Sequence, residues 1–102
     1  MDSPMVLSTR LMQMRGYRVY ETEKNLSFRG IKFKQDLFGF CDLLCLRKNE
    51  IVAVQTTSAS NASARVHKIT DSDELPFVRD AGISIVVHGW RKDGTCREID
   101  LS

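Results

Sequence analysis

The stretch Phe38-Gly39-Phe40-Cys41-Asp42-Leu43-Leu44-Cys45-Leu46-Arg47-Lys48-Asn49-Glu50-Ile51-Val52-Ala53-Val54-Gln55-Thr56-Thr57 decides how this chain folds. Two apolar runs, Phe38 to Leu46 and Ile51 to Thr57, flank the polar and turn-like Arg47-Lys48-Asn49-Glu50. Apolar runs of this length with a short polar break between them read as a β-hairpin. Closed antiparallel on that turn, the hairpin sets Leu46 against Ile51 and Asp42 against Gln55. Directly opposed residues have Cβ atoms roughly 4.5–5.5 Å apart, so a carboxylate and an amide meet deep in an apolar sheet. An isolated charge there is costly or titrates away. Asp42 therefore needs a cation. Both faces of the hairpin are largely apolar, which predicts a central place in a sheet covered on two sides.

Working outward, Ser3-Pro4 suits a helix start and Gly16 its end. Val6, Leu7, Leu11 and Met14 are expected on one face of that helix. Tyr17 to Glu23 alternates as a strand, and Asn25 to Gln35 reads as a loop or a ragged edge strand. Beyond the hairpin, Ser60 or Asn61 can cap a short helix over Ala62 to Ile69. A second helical piece covers Asp73 to Ala81, with Pro76 in its first turn and Gly82 as its stop. Ile83 to His88 is a buried strand, Lys92-Asp93-Gly94 a turn, and Thr95 to Leu101 an edge strand. The order is α-β-β-β-α-β-β, read as a single domain over residues 1–102 without internal repeats. A hairpin followed by a helical crossover into a buried strand implies an α/β fold, its mixed central sheet flanked by helices on both faces.

Composition fits that reading. The chain is 42% hydrophobic and 27% charged, ordinary values for one globular domain. No apolar run approaches the ~20 residues of a membrane span, and no signal-peptide pattern opens the chain, so the expected setting is cytoplasmic and off the membrane. Three cysteines form no CxxC pair, and Cys41 and Cys45 read as small core hydrophobes. Together with Cys96, His67 and His88 they lack the spacing of a structural zinc site. Net charge is only +2, and the local runs say more. Arg29, Lys32 and Lys34 precede the hairpin, Arg65 and Lys68 follow it, and Arg91 and Lys92 come later. These form either a solvated face or, if the fold gathers them, a set of phosphate contacts.

In strand alternation, Asp36, Phe38, Phe40, Asp42 and Leu44 share one face, with Gln55 and Thr57 opposite. That face carries two carboxylates, an amide and a hydroxyl. Hard oxygen donors of this kind suit Mg²⁺ or Mn²⁺, which take one or two carboxylates plus water and substrate phosphate. The competing reading is a buried salt bridge from Asp42 to Arg65, Lys68 or another cation.

The element order, with Asp42 on the second strand and Gln55-Thr56-Thr57 on the third, resembles the PD-(D/E)XK nuclease superfamily. Its small Holliday-junction-resolvase-like and phage or restriction-type members are the nearest in look. The lead-in from Asp36 to Phe40 is similar too, and the resemblance in element order spans nearly the whole chain. It implies a restriction-endonuclease-like αβββαββ core, with Mg²⁺ or Mn²⁺ held by Asp42, Gln55 and the carbonyl of Thr56. Thr57 stands where the family has a catalytic lysine. The first helix offers Ser8, Thr9 and Gln13 where members often add a glutamate. Glu21 or Glu23 can stand in for that glutamate or be a solvated edge carboxylate. Arg65 or Lys68 on the following helix can supply the missing cation or be ordinary surface charges.

By that resemblance the expected activity is metal-dependent endonucleolytic hydrolysis of DNA, duplex or branched. Asp42, Gln55, Thr57 and Lys68 are its catalytic candidates, and Lys34, Arg65 and Lys68 its DNA contacts. A homodimer is implied, to which the Ile83–Val87 strand or Trp90 would contribute. The alternatives are a DNA-binding module of the same fold without catalysis, and an interaction domain in which a basic side chain neutralises Asp42. His67 reads as incidental and Trp90 as core or interface rather than a stacking platform.

Overall fold

A computed structural model describes residues 2–102, with the backbone only for residue 33. The elements are α1 (Pro4–Met14), β1 (Arg18–Glu21), β2 (Lys24–Phe28), β3 (Ile31–Gln35), β4 (Leu43–Arg47) and β5 (Glu50–Ser58). A 3-10 turn (Ala59–Asn61) follows, then α2 (Ala62–Thr70), α3 (Leu75–Asp80), β6 (Ser84–Trp90) and β7 (Cys96–Asp100). Five strands form a mixed sheet in the order β1-β4-β5-β6-β7, and β2 and β3 form a separate two-stranded sheet. Only the β5–β6 pairing is parallel, and the α2–α3 segment makes the crossover that a parallel pairing requires. The architecture is thus α/β with helices on both faces of a mixed sheet.

The β4–β5 register is the one the turn dictates. Leu46 pairs with Ile51 and Leu43 with Val54, and Asn49 takes a φ of 62° in the turn, a left-handed value that Asn tolerates. β5 lies at the sheet centre, and its alternate residues feed two cores. Val52 and Val54 join Leu43, Cys45 and Met12 beneath α1. Ala53 joins Ile85, Val87, Ala62, Ile69, Leu75 and Val78 beneath α2 and α3. Leu43, Ile69 and Ile85 are fully enclosed, and burying such a side chain is worth about 1.5–3 kcal/mol each. Gly89 lets α2 approach this closely: a Cβ there would sit 3.0 Å from the Ala62 Cβ and 3.2 Å from the Ala59 Cα.

Four expectations need correction. The residues of α1 that are buried are Ser8 and Met12, while Val6 is exposed and Met14 is 85% exposed. An apolar-periodicity argument misses this face because a polar residue occupies its centre. Asn25 to Gln35 belongs to a regular hairpin, Lys24–Phe28 with Ile31–Gln35, inserted between β1 and β4. The run from Phe38 is not continuous strand: Leu37 bridges to Cys41 around a tight turn with positive φ at Phe38 and Gly39, and β4 starts at Leu43. Finally, β6 has β5 on one side and β7 on the other, so Ile83–Val87 offers no free edge for subunit pairing. Among the described residues, no helix is long and apolar enough to cross a membrane.

Candidate functional site

Asp42 sits just before β4 with its backbone tied on both sides. Its amide donates to the Val54 carbonyl at 2.9 Å, and its carbonyl accepts from the Thr22 amide at 2.9 Å. Thr22 reinforces this by donating its hydroxyl to the Cys41 carbonyl at 2.6 Å. The Asp42 side chain, 7% exposed, is thereby aimed at β5. There its Oδ2 accepts from Gln55 Nε2 at 2.6 Å and from the Thr56 amide at 2.9 Å.

One oxygen of the carboxylate is thus satisfied twice, and Oδ1 has no protein donor among the described residues. Gln55 is only 3% exposed, and its Oε1 is buried without a hydrogen-bond partner. Turning the amide over would set two oxygens against each other at 2.6 Å, so the orientation follows from the carboxylate itself. A buried acceptor left unpaired costs about 1–3 kcal/mol. A cation or donor beside Asp42 would recover that.

The surroundings are acidic. Asp42, Glu23, Asp36, Gln55, Thr57 and Arg65 all line one cleft of about 350 Å³. Burial, then the charges of Asp36 and Glu23, push the Asp42 carboxyl up from its ordinary 3.8 to about 6, against the pull of the Thr56 and Gln55 donors. No cation pairs with Asp42 among the described residues; Lys34 instead reaches Glu23 at 3.7 Å. The expected alternative of a salt bridge from Asp42 to Arg65 or Lys68 is therefore not what the fold builds. No group of three His, Cys, Asp or Glu side chains among the described residues could hold a metal by itself. An ion here would take Asp42 and neutral oxygens, with water completing its shell, as Mg²⁺ commonly does.

Of the residues singled out by sequence, Asp42, Gln55, Thr56, Thr57 and Arg65 meet at this cleft. Thr56 presents its amide to the Asp42 side of β5, and in a strand a residue's carbonyl points the same way as its amide. Lys34 is at the rim through Glu23. Lys68 is exposed on α2 and does not line the cleft, one helical turn further along than Arg65. Asp36 does reach the site, though by the turn at Phe38 and Gly39 rather than by strand alternation. Of Glu21 and Glu23, each either a stand-in for the first-helix glutamate or a solvated edge carboxylate, Glu23 lines the cleft and Glu21 does not.

Sequence reasoning missed a second polar cluster under α1. The buried Ser8 hydroxyl lies 2.8 Å from Thr56 Oγ1, 2.9 Å from His88 Nδ1, and 2.8 Å from Trp90 Nε1, which donates to it. His88 Nε2 is in turn 3.2 Å from a Glu98 oxygen, at an angle too poor to count as a hydrogen bond. The sequence Ser8–His88–Glu98 has the outline of a hydrolytic triad, but Ser8 is wholly enclosed and its hydroxyl has no capacity left. With Trp90 donating, one consistent assignment has Thr56 donate to Ser8 and Ser8 to His88 Nδ1, which leaves the proton on Nε2 beside Glu98. Burial holds the imidazole below its ordinary 6.5, only partly offset by Glu98. The cluster ties α1 to Thr56, the residue whose amide fixes the Asp42 carboxylate. No protein-family model, curated protein or solved structure matches this chain.

Proposed function

We propose that this protein is a divalent-cation-dependent endonuclease acting on DNA, built on a restriction-endonuclease-like core. The observation that carries the reading is the buried Asp42 carboxylate, oriented by Gln55 and the Thr56 amide but met by no cation among the described residues, with Gln55 Oε1 left without a partner, in an acidic cleft. The element order and the crossover between β5 and β6 support it: with the β2–β3 hairpin set aside and α2 and α3 counted as one helical crossover, they follow the αβββαββ order that the PD-(D/E)XK resemblance implies.

In this reading Asp42, Gln55 and the Thr56 carbonyl hold Mg²⁺ or Mn²⁺. Such an ion, when bound, polarises a phosphoryl oxygen and lowers the pKa of a water. The protein does the rest. Asp36 and Glu23 keep the cleft negative and attract the cation, and Thr57 offers a hydroxyl that orients water. Arg65, the one cation among the cleft-lining side chains, binds the scissile phosphate and offsets charge as the ester bond breaks. Water adds to phosphorus, one P–O ester bond is lost, and a phosphate monoester and a hydroxyl remain. Lys34 and Lys68 hold flanking phosphates, giving affinity without sequence preference. Branched DNA is the expected substrate, handled by a homodimer.

The test combines Mn²⁺ titration calorimetry with cleavage of labelled duplex and four-way DNA. Wild type should bind Mn²⁺ and cut, and Asp42→Ala should do neither. A wild-type protein that binds no divalent cation would sink the proposal. One observation favours a second reading, a DNA-binding module without hydrolysis: among the described residues no lysine lines the cleft, and Thr57 stands where the resemblance would place one. Metal binding and salt-dependent DNA affinity without cleavage would select that reading.

A further inference from the structure

The β2–β3 hairpin stands apart from both cores: it forms its own two-stranded sheet, and among the described residues none of its side chains joins either hydrophobic cluster. A two-stranded hairpin outside the main sheet is marginal in water, so the sequence it carries demands a reason. From Lys24 to Gln35 it holds four of the chain's fifteen cations (Lys24, Arg29, Lys32, Lys34) and none of its thirteen acids, which leaves the rest of the chain at −2. Asn25 pairs with Lys34 and Ser27 with Lys32, so one face is polar and basic. A groove of about 440 Å³ runs beside Leu26, Ser27, Lys32 and Lys34. At the tip, Phe28 and Ile31 pair across the turn and are 63% and 66% exposed. The Arg29 guanidinium lies over the Phe28 ring, 5.3 Å from its centroid. Arg29 holds this place at a left-handed φ of 51°, where a residue other than Gly or Asn is disfavoured by about 1–2 kcal/mol.

We propose that this hairpin is a DNA-gripping arm that engages the boundary between paired and unpaired strands. Lys32 and Lys34 lie along phosphates, and the Phe28–Arg29 pair stacks on a base that is no longer covered by its neighbour. The charge argues for this occupant. A second copy's hairpin packed against this one would bring four cations against four, whereas a polyanion is attracted to all of them. The exposed ring argues for the unpaired part, because a base within an intact duplex has no free face to offer. The hairpin's two ends run directly into Glu23 and Asp36, both on the candidate cleft, so a strand held on the arm is delivered to Asp42. The choice of DNA rests on the phosphodiesterase reading above. The arm itself rests on the hairpin's charge and its bare tip.

The experiment measures fluorescence anisotropy of labelled forked and fully duplex DNA with the full-length chain in EDTA, between about 50 and 200 mM salt. Lys32→Ser with Lys34→Ser should weaken both DNAs and lower the slope of log K against log salt by about 1.8, at about 0.9 per phosphate contact. Phe28→Ser with Ile31→Ser, both at exposed positions, should lose about tenfold on the fork and little on the duplex. Arg29→Asn suits the turn better than Arg, so a loss of fork affinity there is not a folding defect. Variants that bind both DNAs like wild type, or a wild type with no DNA affinity at the lowest salt, would overturn the arm. So would a wild-type dimer, seen by sedimentation, that dissolves in the Phe28/Ile31 variant, since the tip would then be a subunit contact. Hairpin-dependent binding without any cleavage in Mn²⁺ keeps the arm and defeats the endonuclease reading. Cleavage indifferent to the hairpin variants does the reverse.

Discussion

Asp42→Asn should make the protein more stable while abolishing the proposed cation site. The carboxyl is held at about 6 in the folded chain and returns to an ordinary 3.8 when unfolded. Between those values the folded state binds more protons than the unfolded one, so stability falls as pH rises through the window. At about 1.4 kcal/mol per pH unit, the ionised carboxylate costs about 3 kcal/mol by pH 8 and about 1 kcal/mol at pH 4.5. Asn keeps the shape and an acceptor for Gln55 Nε2 and the Thr56 amide, and carries no charge. Urea unfolding in EDTA, followed by the fluorescence of the single tryptophan, Trp90, reads the difference between the two chains at each pH. His88 acts in the opposite sense: burial lowers its folded pKa, so its share of stability is lost as pH falls through its ordinary 6.5. Both chains hold His88, and its effect cancels in the difference. The variant should gain about 3 kcal/mol at pH 8, on the order of 10 °C in melting temperature, and the gain should shrink toward acid. A gain that is flat with pH, or a variant weaker than wild type at pH 8, would refute the claim that Asp42 is an uncompensated buried charge.

Mn²⁺ should raise the wild-type melting temperature and leave Asp42→Asn unmoved; at a hundredfold excess over Kd the stabilisation is about 2.7 kcal/mol, readable by differential scanning fluorimetry. Gln55→Ala removes the second oxygen, and calorimetry should show Mn²⁺ affinity at least about tenfold lower. Ser8→Ala strips partners from Trp90 Nε1, His88 Nδ1 and Thr56 Oγ1 and should cost about 2–4 kcal/mol in urea unfolding. Cleavage per folded molecule should persist in that variant, and its disappearance would revive Ser8 as a nucleophile. Gly89→Ala forces a methyl against Ala62 and Ala59 and should cost about 1–3 kcal/mol by the same measurement.

The parts of the fold legible in sequence are those where hydrophobic pattern and turn chemistry agree. The polar break at Arg47 to Glu50 sets the β4–β5 register, and the register sets Asp42 beside Gln55. Gly16, Gly82 and Lys92-Asp93-Gly94 mark ends and turns that the structure keeps, all three glycines at positive φ. The illegible parts are those where local pattern is silent. The Lys24–Gln35 hairpin does carry an alternation, Leu26, Phe28 and Ile31 against Asn25, Ser27, Lys32 and Lys34 around Arg29-Gly30, but its tip residues Phe28 and Ile31 stay exposed, and its four cations and short strands favour a loop reading. The sharp turn at Phe38 puts a bulky residue at φ 61°, a choice that propensity argues against, and this turn swings Asp36 into the cleft. Ser8 is invisible for another reason: its burial is sustained by hydrogen bonds from β5 and β6, which lie 48 and more residues away. Asp42, Gln55, Thr56, Thr57 and Arg65 could be found from one strand pair and the helix after it. For the flanking carboxylate, sequence left Glu21 and Glu23 both open, and only the three-dimensional fold puts Glu23 on the cleft.

The inserted hairpin leaves the core after Glu23 and rejoins it before Asp36, and its first and last residues, Lys24 and Gln35, are paired with each other. The backbone therefore joins the hairpin to the core at two neighbouring points, with the Lys34–Glu23 ion pair beside them. A longer, shorter or differently charged loop can be grafted there without disturbing the register of β1 and β4, much as a tool is exchanged at a fixed mount. If the two proposals hold, chemistry and target choice are separately heritable: substitutions around Asp42 would alter what is done, and those between Lys24 and Gln35 what is held.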